Sequence, residues 1–381
     1  MATIVRAEVR LVNLRPLTER TDAIQSFVSQ ETPIVTLHDS DGAVGTGYTY
    51  TIGAGGSAIV ALLRDHFLPQ VIGRDADVIE RIWRDLLFSA HALTVGPVVS
   101  LSLAAIDTAL WDLRSCRAAM PITTLLGGAH ESLPMYSTEG GWLHLSTEQI
   151  VADAIEMQSI GFSGAKVKVG RPSGREDFER LAAVRTAVGD DFELMVDANQ
   201  GLRADQASRR AKLFEPLDLG WIEEPLVADD VAGHARLAAG CSTPIAVGES
   251  LYSVAQFREY LEAGACSIVQ VDVARIGGIT PWIKVAHLAE AFGVGVAPHF
   301  LMELHVQLSC AIPNGIWVEY IPQLDPITTS RLDLRAGRAH PATTPGLGIS
   351  WDWERIDAMA SHDTIVLGSC DAVGSKEDQA R

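Results

Sequence analysis

The amino-acid sequence predicts an α/β protein in which a closed (β/α) barrel follows an α+β domain. In residues 1–130, alternating apolar segments are followed by segments with helical spacing of apolar residues. From residue 131 to residue 325, short apolar runs alternate with amphipathic helical segments, a rhythm typical of parallel strands joined by crossover helices. Eight such runs favour a closed barrel over an open doubly wound sheet, which usually has about five or six strands.

The first domain, residues 1–130, is predicted to contain a hairpin and two helices. Its strands are expected at 4–14, 34–37 and 44–50, with the hairpin turn at 39–42, and its helices at 78–88 and 98–113. Residues 18–31 are polar without a clear period and residues 52–57 are rich in glycine. Both segments are therefore predicted to be mobile loops.

The barrel, residues 131–325, is predicted from eight consecutive β/α units. The apolar runs lie at 133–137, 164–169, 192–197, 220–223, 244–249, 268–272, 294–299 and 315–320. The capping-box patterns at Ser146-x-x-Gln149 and Ser173-x-x-Glu176 mark helix starts between them. Residues 326–381 return to mixed strand character, complete part of the first domain and end in a small, polar tail that is expected to fray.

Composition and charge exclude several classes of protein. A chain of 381 residues with 47% hydrophobic and 20% charged residues is neither disordered nor collagen-like. The formal charge of −18 disfavours nucleic acid and anionic membranes as partners, and any anionic substrate needs a local cation, such as a metal ion or a lysine cluster. Five widely spaced cysteines without a CxxC pair, a charged N-terminus and no apolar run of about 20 residues predict a cytoplasmic protein without disulfides or membrane spans.

Polar residues at the carboxyl ends of the predicted strands are the most informative feature, because buried parallel strands should be almost wholly apolar. They recur at intervals of one β/α unit. These residues are Lys166, Lys168, Asp197, Glu223, Glu249, Asp272, His299 and Glu319. In a barrel the carboxyl ends of the strands converge on one face, where barrel enzymes keep their active sites.

Three carboxylates on consecutive strands, Asp197, Glu223 and Glu249, predict a divalent-cation site. Without a thiolate or imidazole among them, they suit a hard cation that prefers oxygen ligands, such as Mg²⁺. Any one of them alone is more often a helix cap or a structural ion-pair partner. Three carboxylates at the same position of three consecutive β/α units favour the metal site.

Lys166 and Lys168 lie two residues apart, so a strand directs both side chains to the same face. Two neighbouring ammonium groups lower one another's pKa, and a lysine that is neutral near pH 7 can act as a general base. The alternative is a solvated edge strand with alternating lysines. Its place as the second of eight barrel strands argues against that alternative.

His299 and Asp272 lie on neighbouring strands, where the carboxylate could orient the imidazole as an acid/base dyad. Glu319, the last of the series, is expected to face the metal from across the barrel mouth. Burial among other acids would raise the pKa of Glu319 and let it donate a hydrogen bond to a developing oxyanion.

The order of these residues resembles the mandelate racemase subgroup of the enolase superfamily over essentially the whole chain. The motifs that carry the resemblance are Ala-Lys-Val-Lys-Val-Gly, Val-Asp-Ala-Asn-Gln, Trp-Ile-Glu-Glu-Pro-Leu, Val-Gly-Glu-Ser, Arg-Ile-Gly-Gly-Ile-Thr and Ala-Pro-His-Phe. The resemblance implies an α+β capping domain on a modified (β/α) barrel of the TIM type. It also implies that Asp197, Glu223 and Glu249 bind Mg²⁺.

The same resemblance implies how the remaining residues act. Lys168 would be the base on one face of the substrate, and Lys166 its pKa-lowering neighbour and a contact of the substrate carboxylate. The His299/Asp272 dyad would act on the opposite face. Glu319 would stabilise the enolate that forms when the proton α to a carboxylate is removed.

The loop after the first barrel strand suggests the substrate class. Tyr136, Trp142 and His144 belong to a polar, glycine-rich stretch that suits a hydroxylated substrate, and together with residues 302–305 it looks like the talarate/galactarate dehydratases of the subgroup. Asn199 would hydrogen-bond the substrate. The expected reaction is elimination of a β-hydroxyl from an acid sugar to give a 2-keto-3-deoxy acid.

Three alternatives remain open from the sequence. A racemase, epimerase or cycloisomerase could use the same site and the same enediolate intermediate. A glycosidase pair on a barrel would explain two of the acids, although it needs neither the lysine pair nor a third carboxylate. A non-catalytic paralogue would be expected to lack a ligand or a base. Barrel enzymes with a capping domain commonly assemble, so a homo-oligomer is also expected.

Overall fold

The computed structural model describes residues 2–93 and 96–369, and it begins with an α+β unit that we call the cap. The strands of the cap are β1 (Ile4–Leu14), β2 (Arg20–Thr21), β3 (Ser26–Phe27), β4 (Gln30–Asp39), β5 (Val44–Tyr48) and β6 (Thr51–Ile52). Its α-helices are α1 (Gly56–Leu62), α2 (Leu68–Val71), α3 (Ile79–Ser89), α4 (Pro97–Arg117) and α5 (Ile122–Leu125). A π-helical turn, Leu63–Phe67, joins α1 to α2.

The cap sheet is antiparallel and packs against α4. Strand β1 pairs with β4, and β4 pairs with β5 as the predicted hairpin. Helix α4 lies close to β5 at two glycines, because a Cβ atom at Gly45 or Gly47 would lie 2.3 Å from a backbone oxygen of the helix. The two glycines therefore serve helix–sheet packing.

Both predicted cap loops contain regular structure. Residues 18–31 include the β2–β3 ladder, whose turn is closed by backbone N–H groups of Ile24 and Gln25 donating to Asp22 Oδ1 at 2.7 and 2.8 Å. This side-chain-to-backbone pairing is a local turn device that a search for periodicity does not detect. Within the glycine-rich segment, helix α1 begins at Gly56.

The barrel consists of eight parallel strands that close into a ring. They are β7 (Leu133–Ser137), β8 (Gly164–Lys168), β9 (Glu193–Asp197), β10 (Ile222–Glu223), β11 (Ile245–Val247), β12 (Ile268–Val269), β13 (Gly295–Val296) and β14 (Val318–Tyr320). Neighbours in sequence pair in parallel from β7 to β13. Closure comes from β14 pairing with β7 and from a parallel bridge between Val296 and Gly315.

Seven helices, among the described residues, connect these strands. They are α6 (Thr147–Ser159), α7 (Gly174–Val188), α8 (Ala204–Phe214), α9 (Val231–Gly240), α10 (Val254–Glu262), α11 (Ile279–Ala291) and α12 (Met302–Ser309). The Ser146/Gln149 capping box is present, and at Ser173 the side chain accepts the Glu176 N–H. The expectation of eight β/α units was wrong in its last unit, because the chain leaves β14 through a 3₁₀ turn, Asp325–Ile327, instead of a crossover helix.

The C-terminal segment adds strands to both the barrel and the cap sheet. Strands β15 (Asp333–Arg335) and β16 (Arg338–His340) form a hairpin that pairs antiparallel with β7. Helix α13 (Trp353–Met359) is followed by β17 (Ile365–Gly368), which joins the cap sheet beside β1. The tail predicted to fray is residues 368–381; Gly368 is the last residue of β17, and residues 370–381 lie outside the described residues. The domain boundaries 1–130, 131–325 and 326–381 stay a prediction.

Over the described part of the chain, the helices are all too short or too polar to cross a lipid bilayer.

Candidate active site

The carboxyl ends of the barrel strands bring the predicted site residues together. Asp197 and Glu223 are the last residues of β9 and β10 and are direct neighbours in the parallel register, as are Lys168 and Asp197. Glu249 follows β11 by two residues. Since each of these side chains is buried at one rim of the barrel, the site is a preformed cluster of charges.

Asp197, Glu223 and Glu249 offer carboxylate oxygens that lie within 4.8 Å of one another. Burial and the repulsion of Asp197 raise the pKa of Glu223 to about 7, although Lys166 partly offsets both. Three oxygen donors this close match the preference of a hard divalent cation, which would relieve that repulsion. The residues therefore fit the predicted magnesium ligand set.

Both lysines form ion pairs with the carboxylates. Lys166 Nζ lies 2.8 Å from Glu223 Oε1 and 2.9 Å from Glu319 Oε1, and Lys168 Nζ lies 2.5 Å from Asp197 Oδ2. Burial lowers the pKa of Lys168, and so does the repulsion of Lys166, but the combined attraction of Asp197, Glu223 and Glu249 outweighs both, so the net shift is upward. Lys166 does lower the pKa of Lys168, as expected, but the expected net lowering is wrong for these side chains alone, because the carboxylates outnumber the lysines.

The His299/Asp272 dyad has the predicted geometry. His299 Nδ1 lies 2.8 Å from Asp272 Oδ2, and His299 Nε2 lies 3.2 Å from Glu249 Oε2. Burial lowers the pKa of His299, but Glu249 and Asp272 raise it above the usual value. Burial raises the pKa of Asp272, yet the hydrogen bond and charge of His299, together with Arg275 and His305, bring the net value down to about 2. The pair therefore favours an imidazolium beside a carboxylate.

Glu319 differs from its expected electrostatic state. Burial raises its pKa, but Lys166 in particular, together with His299 and the Thr138 hydroxyl, lowers the net value far below the usual range. Thr138 Oγ1 donates to Glu319 Oε1 at 2.6 Å, and the N–H of Phe300 donates to Oε2 at 2.8 Å. The predicted protonated donor was wrong, since the Lys166 ammonium, the Thr138 hydroxyl and the Phe300 N–H all stabilise the ionised form.

A cavity of about 120 Å³ lies between the cap and this cluster of charges. Lys168, Asn199, His299, Trp142 and Glu319 line it, which brings two of the predicted substrate contacts to its wall. The Asn199 Oδ1 atom is buried and has no hydrogen-bond partner within the described part of the chain. An unpartnered buried acceptor of this kind suits a ligand that donates a hydrogen bond.

Two predicted substrate contacts do not reach this cavity. Tyr136 is fully buried, with its ring 5.6 Å from Lys166 Nζ and edge-on to Trp221, so it packs among the charged cluster and the barrel core. His144 is exposed in the loop before α6. Neither residue is among the side chains that line the cavity.

Two family models together match most of the chain. The N-terminal domain model of mandelate racemase/muconate lactonizing enzymes matches residues 3–127, and an enolase C-terminal domain-like model matches residues 149–355. The chain belongs to the mandelate racemase/muconate lactonizing enzyme family. The resemblance predicted from the sequence motifs is therefore confirmed.

Several members of this family are similar over most of their length. The L-talarate/galactarate dehydratase of Salmonella typhimurium is 39% identical over 317 residues, which are 83% of this chain and 79% of that protein. The 3,6-anhydro-α-L-galactonate cycloisomerase of Streptomyces coelicolor is 35% identical over 360 residues, or 94% of this chain and 99% of that one. Both the dehydratase and the isomerase classes are thus represented.

Solved structures of the family confirm the predicted fold class. The L-talarate dehydratase of Polaromonas sp. JS666, complexed with Mg and L-glucarate, superposes with a TM-score of 0.90 at 36% identity, covering 97% of this chain and 100% of that one. The Salmonella typhimurium enzyme, liganded with Mg and L-lyxarohydroxamate, gives a TM-score of 0.92 at 36% identity, covering 97% and 95%.

Sequence reasoning missed three residues of the site in this family member. Tyr50 Oη, from the cap, donates to Asp272 Oδ2 at 2.6 Å, and nothing in the sequence relates residues this far apart. Arg275 donates through Nη1 to the Glu249 carbonyl at 2.9 Å. Its position three residues after Asp272 could have indicated from the sequence that it lies near the site. Thr138, which binds Glu319, directly follows β7, where strand-end polar residues were already expected.

Proposed function

We propose that this protein is a magnesium-dependent acid-sugar dehydratase, which abstracts the proton α to a carboxylate and eliminates a β-hydroxyl to give a 2-keto-3-deoxy acid. One observation carries the proposal. Lys168 and His299 line the same cavity as Glu249, whose carboxylate oxygens lie within 4.8 Å of those of the other two acids of the triad. A base, an acid and a cation site on one cavity are what this elimination requires.

The proposed metal ligands are Asp197, Glu223 and Glu249. The purely oxygen donor set and the raised pKa of Glu223, caused by burial and by Asp197, support a bound dication. When bound, Mg²⁺ would supply positive charge beside the substrate carboxylate and so lower the free energy of the enediolate. Relatives whose structures contain Mg support the same assignment.

Lys168 is the proposed general base. In its neutral form, its Nζ would take the α proton of a substrate bound in the cavity, leaving the electron pair in the enediolate. Lys166, held between Glu223 and Glu319 at 2.8 and 2.9 Å, would contribute fixed positive charge near the substrate carboxylate. Glu319 would hold Lys166 in place as an ionised partner.

His299 is the proposed general acid. Asp272 binds Nδ1 and thereby fixes the ring, while the raised pKa favours the imidazolium that can donate a proton from Nε2. As the electrons of the enediolate form the new double bond, the β carbon–oxygen bond breaks and the hydroxide takes this proton and leaves as water. The enol product then tautomerises to the 2-keto acid.

The proposal is tested by a screen of hexonates, pentonates and hexarates with Mg²⁺, in which 2-keto acid formation is measured. We expect at least one acid sugar to be converted, with exchange of its α proton in D₂O. If no acid sugar in a broad library forms a keto acid or exchanges its α proton, the proposed function is wrong.

An isomerase is the second candidate, and the similarity to the Streptomyces coelicolor cycloisomerase over nearly the full length of both chains favours keeping it. The same two bases could deprotonate one face and reprotonate the other. Exchange of the α proton in D₂O without any loss of water would identify this reaction in place of dehydration.

A further inference from the structure

We infer that Gln270 and Trp221 are positioning residues, which restrain the Glu223 carboxylate to bind a divalent cation through Oε1 alone and thereby favour Mg²⁺ over Ca²⁺. This inference rests on the proposed function, because it assumes that the three acids hold a cation. The observation behind it is that the two carboxylate oxygens of Glu223 have unequal surroundings inside the barrel.

The Glu223 Oε2 atom accepts three hydrogen bonds. Gln270 Nε2 donates to it at 2.6 Å, Trp221 Nε1 at 3.1 Å and Lys166 Nζ at 3.0 Å. Within the described part of the chain, Oε1 accepts a hydrogen bond from Lys166 alone, at 2.8 Å. Because each carboxylate oxygen has about two lone pairs, Oε2 has none left for a cation, whereas Oε1 keeps one.

Gln270 is buried directly after β12, at a barrel position where an apolar side chain is expected. Its amide group must present Nε2 to Glu223, because an amide oxygen 2.6 Å from a carboxylate oxygen would be repelled. Its backbone is also held, since the Gln270 N–H donates to the Val247 carbonyl at 2.8 Å. A Cβ atom at Gly248 would lie 2.5 Å from the Gln270 carbonyl carbon, so the two segments are in close contact. The side chain therefore reaches Glu223 from a fixed backbone position.

Trp221 lies two residues before Glu223, so a strand directs both side chains to the barrel interior. Its ring is buried and stands edge-on to Tyr136, with centroids 5.2 Å apart. The indole N–H can donate but cannot accept, and Glu223 Oε2 is its acceptor. Gln270 and Trp221 thus hold the same oxygen from two different strands.

A carboxylate held in this way suits Mg²⁺ better than Ca²⁺. Mg²⁺ requires nearly octahedral coordination at about 2.0–2.1 Å, whereas Ca²⁺ accepts six to eight oxygens at about 2.3–2.6 Å and can bind both oxygens of one carboxylate. Without its donors, the Glu223 carboxylate could rotate and offer both oxygens. The residues that hold Oε2 therefore oppose the bidentate mode that is open to Ca²⁺.

The test measures the Kd of Mg²⁺ and of Ca²⁺ from the rise in the free energy of unfolding with cation concentration, at constant ionic strength and without substrate. Gln270→Leu removes the amide donor to Oε2, and Trp221→Phe removes the indole N–H while keeping an aromatic ring. We expect each variant to raise the Mg²⁺ Kd by about 10- to 100-fold and the Ca²⁺ Kd by less. An unchanged Mg²⁺ Kd in either folded variant, or an equal rise for both cations, would overturn the inference.

The matched control is Gln307→Leu. Gln307 is also buried, but its amide oxygen accepts from Thr123 Oγ1 at 3.1 Å and from the Ala342 N–H at 3.0 Å, and neither partner lines the cavity. This variant should lower the free energy of unfolding without changing the Kd of either cation. If it weakens Mg²⁺ binding as much as Gln270→Leu does, the loss of any buried amide has the same effect and the inference is wrong.

The wild type separates this inference from the proposed function. If its stability responds to neither cation, the metal site of the proposed function is overturned together with the inference. If the wild type binds Mg²⁺ and both variants bind it equally well, only the positioning role of Gln270 and Trp221 is overturned.

Discussion

The hydroxyl group of Tyr50 links the cap to the His299/Asp272 dyad, and its removal by Tyr50→Phe isolates one buried hydrogen bond. Tyr50 Oη donates to Asp272 Oδ2 at 2.6 Å and accepts from Arg275 Nε at 3.2 Å, while its ring packs on Phe300 with centroids 4.6 Å apart. Phenylalanine keeps the ring contact. The variant therefore changes only the polar interactions of the hydroxyl.

The expected magnitude follows from the charge of the acceptor. A hydrogen bond to an ionised group contributes about 1.5–3 kcal/mol, so Tyr50→Phe should lower the free energy of unfolding by about 2 kcal/mol. Asp272 stays ionised in the variant, because it also accepts from His299 and from the Ala274 N–H at 2.8 Å each. Less firm orientation of the dyad should slow the His299-dependent step by roughly tenfold, which corresponds to about 1.4 kcal/mol of barrier.

Tyr48 supplies a matched control two residues away. It is equally buried in the cap, but its hydroxyl has no hydrogen-bond partner among the residues that the structure describes. Tyr48→Phe removes an unsatisfied polar group, so it should leave stability unchanged or raise it by about 1 kcal/mol. The two variants make the same chemical change, but only Tyr50→Phe is expected to lower the free energy of unfolding.

The assay is urea unfolding of wild type and both variants, with the slope m checked for constancy, together with dehydration kinetics and α-proton exchange. For Tyr50→Phe we expect dehydration to slow more than exchange at the Lys168 face. The reasoning is refuted if Tyr50→Phe is as stable as Tyr48→Phe, or if both variants slow dehydration equally.

The other predictions concern the bases, the metal and a buried acid. Lys168→Ala should abolish α-proton exchange on its face, whereas His299→Asn should stop dehydration but retain exchange; near-normal turnover in both would contradict these roles. EDTA should stop turnover, and Mg²⁺ at 100 times its Kd should raise the free energy of unfolding by about 2.7 kcal/mol, so an unmoved unfolding transition would argue against the triad as a metal site. Burial raises the pKa of Asp107 to about 7 from the ordinary 3.8, despite hydrogen bonds from Thr280. The folded state then binds more protons than the unfolded state between these pH values, so this stability contribution is full below about pH 4 and is lost as pH rises to about 7. Asp107→Asn should remove up to roughly 4 kcal/mol of that pH dependence. If the free energy of unfolding changes equally between pH 4 and pH 8 in the wild type and the variant, this prediction is wrong.

The positions of the barrel strands and the site residues were largely readable from local pattern. A parallel strand buried on both faces is apolar along its length, so a polar residue at its end stands out, as with Asp197 and Glu223. Tyr136 and His144 were predicted from composition of the first-strand loop alone. Composition does not determine where a side chain points, and in the structure Tyr136 lies in the core whereas His144 is exposed to solvent.

The charge states of the site were not readable in this way. The pKa of Glu319 depends on Lys166, on His299 and on the Thr138 hydroxyl, which come from three other parts of the barrel. Phe300 directs its N–H at Glu319 from a left-handed backbone conformation with φ of 73°. Electrostatic energy depends on distances of a few ångströms between groups remote in sequence.

The sequence by itself determined the family, the order of the strands and the polar residues that lie at the strand ends, because strand ends, helix starts and apolar runs are local properties of the chain. Only the tertiary structure decided which side chains share a cavity, which carboxyl group is ionised and that the cap reaches the dyad through Tyr50. Those properties follow from packing the cap on the barrel, which sets contacts between groups more than two hundred residues apart and thereby fixes their hydrogen bonds and their electric field.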